Sequence, residues 1–283
     1  MLGVYFQLDT WQGQWRKASG TWPNFFGPIF APLHVGPHTV YAFAVDGQFA
    51  DSTQTGLQSS PIPGAMASYG FLVLPTPTTT TVSLTAGANP SSSGDSLTFQ
   101  ATVKPASSHL AGHSVDFADG GNIFGSALAD ATGHASVNIS TLTDGVHNIT
   151  AIFRGEENFA SSISPVLTQA VMHTGAGTFS TATLTQSPRT FFRQSAAFVV
   201  DIYGAVPAGT PTGNVVLLDG DRQVGPLLTL TGDPSGVFSA CVYDTPMPPG
   251  AHQVRAVYLG DINFNGSISN VGIVSASPRP KPR

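Results

Sequence analysis

The sequence predicts an all-β chain of tandem sandwiches, and three observations carry that expectation. Charged residues make up only 10% of its 283 residues, against about a quarter in ordinary soluble domains. Polarity therefore comes from Thr, Ser, Asn and Gly, which suit strands and turns rather than salt-bridged helices. The 31 glycines and 22 prolines punctuate the whole length, and no apolar 3.6-residue period survives beyond about ten residues. Finally, one segment recurs three times with a two-residue alternation.

Residues 145–164 read GVHNITAIFRGEENFASSIS and residues 250–269 read GAHQVRAVYLGDINFNGSIS, identical at nine of twenty positions. The shared positions include Gly145 and Gly250, His147 and His252, Ala151 and Ala256, Gly155 and Gly260, Asn158 and Asn263, and Phe159 and Phe264. A partial copy, GPHTVYAFAVDG, starts at Gly36 and keeps His38, Val40 and Ala42. Three copies about a hundred residues apart mean three domains. Within each copy, alternation puts His147, Ile149, Ala151 and Phe153 on one strand face and Asn148, Thr150, Ile152 and Arg154 on the other. The first set is expected to face a core. Gly145 precedes the strand in a turn that requires positive φ. Beyond Gly155, Asn158 and Phe159 are expected to fold a hairpin back so that the ring closes the sandwich end.

Upstream of the repeat, the same strand series appears twice. The middle copy has 80–86, 97–103, 114–117, 126–129, 135–139, 147–153 and 165–171; the last has 181–186, 196–203, 214–218, 226–230, 237–243, 253–258 and 271–275. Seven short strands in about 100 residues, separated by turn signals such as DGG, DATG and DGD, fit immunoglobulin-like β-sandwiches arranged end to end. The expected domains are 1–74 (partial), 75–171 and 172–275, followed by a Pro- and Arg-rich tail at 276–283 read as disordered.

The run from TTTTVSLTAGANPSSSGDSLTFQATV through TDGVHNITAIFRGEENFASSIS resembles the bacterial Ig-like domain repeats that occur in tandem in large surface and secreted proteins. The motif G-x-H-x-[IV]-x-A-x-[FY]-x-G-[DE]-x-N-F carries that resemblance. It covers 76–275 well and 1–74 in part. It implies a structural or adhesive module, an extracellular or cell-surface location, and no catalytic residues to transfer.

The first copy departs from the pattern. Its GVYFQLD, Gly3–Asp9, matches GNVVLLD, Gly213–Asp219, as the third strand of the fold, and the two preceding strands are missing. The chain is therefore expected to be a fragment of a longer product; the alternative is that another chain donates the missing strands by β-addition. A longer Ser-, Thr- and Pro-rich loop at 47–65 reads as an ordinary surface loop, with partner binding as the alternative.

Candidate chemistry is sparse. Trp11, Trp15 and Trp22 fall within twelve residues, and clustered indoles can form a platform for sugar rings; the competing reading is packing within the truncated copy. The segment Asp261–Gly266, DINFNG, imitates the start of a calcium loop, but its twelfth position is Gly272 instead of a bidentate Glu. The histidines His38, His147 and His252 occupy equivalent repeat positions and are read as structural, each imidazole hydrogen-bonded to a turn. His109 and His113 have a zinc-like spacing, but Gly112 and neighbouring Ser and Pro make that stretch a loop. Cys241, alone of its kind, lies in an alternating strand as a small core residue, which excludes an internal disulfide. No nucleophile elbow, HExxH or phosphate loop occurs. Most carboxylates sit in turns, among them Asp119, Asp130, Asp144, Asp219, Asp221 and Asp233.

These readings converge on a non-enzymatic module without cofactor or metal, a spacer rod or interaction region of a larger secreted or cell-surface protein. Its partners are neighbouring domains of the same polypeptide and, if a ligand exists, an extracellular protein or glycan. A net charge of −5 with scattered basic residues excludes nucleic acid, and no apolar run is long enough for membrane insertion as a helix. Met1 is followed directly by strand-like residues with no leader. The alternative is a carbohydrate-binding accessory region of a secreted hydrolase, using the tryptophans of the first copy.

Overall fold

A computed structural model describes residues 3–21, 24–27, 32–49, 61–156, 158–175, 177–186, 195–205, 209–232 and 238–276. Trp22, Asp233, loop residues 50–60 and the tail from 277 lie outside them. The chain divides into two compact units, residues 1–77 with 155–160 and residues 78–154 with 161–283.

The first unit is built on a five-stranded antiparallel sheet. Its strands are β1 (Gly3–Leu8), β2 (Arg16–Lys17), β5 (Gly36–Phe49), β6 (Pro61–Pro63) and β7 (Ala67–Val73), with β5 pairing β1, β6 and β7. A small hairpin, β3 (Ser19–Thr21) and β4 (Asn24–Phe26), accompanies it. Gly27 follows that hairpin; an added Cβ there would come within 2.6 Å of the Phe6 ring, so only glycine lets the backbone lie on it. The register corrects the expected match of β1 to the last copy. Leu8 pairs Val40 and Phe6 pairs Ala42, whereas the match of Asp9 to Asp219 required Asp9 opposite Val40. Phe6 thus takes the place that Phe117 takes opposite Ala151 and Leu217 opposite Ala256. A one-residue slip swaps the two faces of a strand, and here it keeps Gln7 out of the position that the apolar Leu217 occupies.

In the second unit, the middle sandwich comprises β8 (Thr79–Ala86), β9 (Ser91–Ser92), β10 (Leu97–Lys104), a 3₁₀ turn at Ser108–Leu110, β11 (Ser114–Asp119), β12 (Asn122–Leu128), β13 (His134–Ile139), β14 (Gly145–Phe153), β15 (Ser162–Ile163) and β16 (Leu167–Met172). One sheet runs β13-β10-β8 and the other β12-β11-β14-β16-β9. Along β10, Leu97, Phe99, Ala101 and Val103 are buried in strict alternation. They face Val115, Phe117, Ile149, Ala151 and Phe153, also buried, as the two-residue period requires. β12 starts four residues earlier than the sequence suggests. Gly120 and Gly121, at φ 53° and 93°, make a tight hairpin that leads straight into the strand.

The last sandwich repeats this plan with β17 (Ser180–Gln186), β18 (Ser195–Gly204), β19 (Asn214–Asp219), β20 (Arg222–Gln223), β21 (Leu228–Thr229), β22 (Thr231–Gly232), β23 (Phe238–Pro246), β24 (Gly250–Tyr258), β25 (Ser267–Ile268) and β26 (Gly272–Ala276). Its sheets are β17-β18-β23-β22 and β20-β19-β24, the latter with β21 on β19 and with β25 and β26 on β24. The single strand expected at 226–230 is instead short pieces. Gly225 at φ 76° and Pro226, which lacks an N–H, break the ladder there. The core contains Phe198, Val200, Ile202, Leu217, Tyr243, Val254, Ala256 and Phe264, and the Tyr243 hydroxyl donates to the carbonyl of Val215 in the opposite sheet. Cys241 is buried in this core, as expected.

The junction of these two sandwiches is a packed interface. Val216, Leu218, Val257 and Leu259 of the last copy and Ala170 of the middle one form a buried cluster, with Val146 and Met172 against it. On the corresponding face of the middle copy Asp116 stands where the last copy has Val216, binding Ser126 Oγ at 2.6 Å and Arg154 Nε at 2.6 Å, beside the apolar Ala118 and Ile152. Asn89 latches the junction. Its side chain donates to the Thr168 carbonyl at 2.7 Å and to Asp221 at 3.0 Å and accepts from the Ala170 N–H, while its own carbonyl accepts from Arg255. The Thr168 N–H donates to the Asp221 carbonyl at 2.9 Å.

Candidate functional site: the aspartate–histidine clasps and the tryptophan cluster

The repeat histidines form one constellation three times. In the middle copy, His147 Nδ1 lies 2.7 Å from Asp119 Oδ2 and its Nε2 lies 2.8 Å from the Thr143 carbonyl, while Asp119 Oδ1 accepts the Asn148 N–H at 2.8 Å. In the last copy, His252 meets Asp219 at 2.6 Å and the Pro248 carbonyl at 2.8 Å, and Asp219 accepts the Gln253 N–H at 3.0 Å. In the first, His38 meets Asp9 and the His34 carbonyl, both at 2.7 Å, and Asp9 accepts the Thr39 N–H at 2.8 Å. Each clasp ties the turn before the long central strand to the end of the strand beside it.

The turn needs its glycine. Gly36, Gly145 and Gly250 stand at φ 136°, 143° and 141°, as the sequence predicts for Gly145. Asp9 supplies the variation: it sits at φ 57°, beside Gly120 at 53° and Gly220 at 60°. In the first copy the aspartate has moved into the left-handed turn position that glycine holds elsewhere, a conformation that Asp tolerates better than most residues. The bond to His38 holds the Asp9 carboxyl below its usual range. His38 is raised by the His34 carbonyl and then by Asp9; His252 is raised by Asp219 and then by the Pro248 carbonyl. The sequence showed the imidazoles as turn-bound but not their carboxylate partners. The signal was present: an Asp ends the third strand in two copies and directly follows β1 in the first.

The remaining motif residues define the hairpin end. Phe264 is fully buried in the last core, and a Cβ on Gly204 would collide with its ring at 2.4 Å. Phe159 is half-buried. Gly155 and Gly260 stand at φ 76° and 85°. A linker threonine bridges each hairpin: Thr76 donates to the Asn158 carbonyl at 2.7 Å, and Thr178 to that of Asn263 at 2.8 Å. Asp261 also serves this hairpin. Burial raises its carboxyl, but bonds from Thr212, Asn263 and Phe264 outweigh that and leave it lowered. Asn265 is likewise committed, to Gly175 and Gly177. The calcium-like segment thus has its oxygens engaged in tying turns, and among the described residues no three His, Cys, Asp or Glu gather for a metal. His109 lies in the 3₁₀ turn.

Two of the tryptophans can be placed. Trp15 packs edge-on against Phe43 at 4.7 Å, and Phe43 stacks on Tyr5 at 5.5 Å. Trp11 is 55% exposed. Among the described residues, Trp15 thus packs on an aromatic neighbour and Trp11 is open to solvent.

Among the described residues no helix is long and apolar enough to cross a membrane. No curated protein matches the chain. Among solved structures, the fibronectin(III)-like modules of Clostridium thermocellum CbhA are similar over 67% of this chain and 93% of theirs, at 17% identity and a TM-score of 0.27. The family described as bacterial Ig-like domain (group 3) matches twice, at residues 75–172 and 175–276. Those two matches coincide with the two complete sandwiches and their clasps, and this chain belongs to the bacterial Ig-like domain family.

Proposed function

We propose that the chain is a non-catalytic structural module, a spacer and interaction region of a larger secreted or cell-surface bacterial protein. The observation that carries this reading is the junction of the two complete sandwiches. An apolar cluster and the Asn89 latch join them, which suits a part that must hold its neighbours at a set distance. Domains of this family are generally non-catalytic, and the histidine–aspartate pairs described above hold turns rather than line a cleft. The family also supports an extracellular setting.

Backbone ¹⁵N relaxation on the whole chain tests the spacer role. Amides of β10 and β18 are expected to report one rotational correlation time; two independent values overturn it. The alternative, a carbohydrate-binding accessory region of a secreted hydrolase, retains Trp11 as an exposed indole and stands second because Trp15 is packed on Phe43.

A further inference from the structure

Each clasp histidine faces two groups that only accept hydrogen bonds. Nδ1 points at a carboxylate oxygen and Nε2 at a peptide carbonyl, at 2.6–2.8 Å in all three copies. A neutral imidazole carries one hydrogen, so one of its nitrogens would turn a bare lone pair on an oxygen at contact distance. Only the imidazolium donates to both. We propose that the Asp9–His38 and Asp219–His252 clasps are proton-dependent locks, closing the turn before their central strands while the imidazole is charged and releasing it when the ring is neutralised.

The surroundings favour the cation. His252 has Asp219 of β19 and the Pro248 carbonyl on its nitrogens and Val274 of β26 across the ladder; Arg222 of β20 opposes it. His38 has Asp9 after β1 and the His34 carbonyl, with the Phe71 ring of β7 stacked on it at 5.6 Å, a further attraction for a charged ring. The middle copy repeats the geometry alone, with Asp119 of β11 and the Thr143 carbonyl on the His147 nitrogens and Gln169 of β16 across the ladder. Its turn also carries Asp144, whose carboxylate meets Nδ1 of the junction residue His173 at 2.7 Å.

The direction follows by linkage. A histidine raised in the folded state, as His38 and His252 are, contributes stability that is complete below its unfolded pKa of about 6.5 and is lost as pH rises through the folded value. Two measurements on the whole chain test this. With ¹⁵N-labelled histidine, both ring nitrogens of His38 and His252 are expected to show imidazolium shifts at pH 6.5 and to titrate above it. Melting between pH 6 and 8.5 is expected to fall with rising pH, the unfolding constant of the last sandwich growing roughly three- to tenfold. That growth should shrink in His252→Gln and in Asp219→Asn. Ring nitrogens typical of a neutral tautomer at pH 6.5, or a melting profile flat or rising over that window, overturn the proposal. The nitrogen spectra use the unaltered chain, so they decide even if a variant fails to fold.

Discussion

Asp9 reaches His38 through the same pair of bonds that joins Asp119 to His147, although its strand is paired one residue out of step with the others. The geometry that recurs across copies is thus the position of the carboxylate in space, more than the alignment of the strand that carries it. Asp9→Asn keeps a residue that tolerates positive φ but removes the charge. The His38 titration midpoint is expected to drop towards its ordinary value, read by NMR as a downward shift.

The junction hangs on Asn89. Asn89→Ala removes three side-chain hydrogen bonds and leaves the Ala170 N–H without that partner at a tightly packed seam. A loss of about 1–3 kcal/mol is expected. In relaxation measurements, amides at the seam should become more mobile while the apolar cluster keeps the two sandwiches together.

Phe264→Ala empties a fully buried position of the last core and is expected to cost about 3–5 kcal/mol in denaturant unfolding. The same change at Phe159, whose ring is half-buried, should cost less. Equal losses would contradict that difference in burial.

Burial pushes the Cys241 thiol up to about 11, with the Asp201 charge adding to it. The thiolate that reacts with electrophiles is therefore scarce at neutral pH. A chromogenic disulfide reagent at pH 8 is expected to leave the folded chain unmodified and to label one thiol per chain once it is denatured.

The tryptophans separate by role. Trp15→Ala is expected to destabilise the first unit, because the indole packs on Phe43, whereas Trp11→Ala should leave melting unchanged. Only the latter tests glycan binding cleanly: on a glycan array, any signal of the parent chain should disappear with Trp11 while the fold persists.

Much of this architecture was legible because its signals are local. Leu97, Phe99, Ala101 and Val103 alternate without a break, and Gly145 announces a turn that only positive φ can make. The register of β1 was not legible. The identities Gly3/Gly213, Leu8/Leu218 and Asp9/Asp219 favour one register in the sequence, and only the pairing partner in space shows that the strand takes the other. The carboxylate half of each clasp escaped for a similar reason: Asp119 and His147 are separated by most of a hairpin and a strand. The apolar outer face of β19 was also ambiguous, since a run of Val215, Val216, Leu217 and Leu218 reads as a strand buried on both sides without saying by what.

That outer face makes the copies non-interchangeable. Val216, Leu218 and Val257 need a cover that the middle sandwich provides, whereas the middle one carries the Asp116–Arg154 ion pair on the corresponding face. Reversing the order of the two would strip Val216, Leu218 and Val257 of that cover. The order of these two sandwiches is thus written into their surfaces, and exchanging them would leave exposed apolar area prone to association.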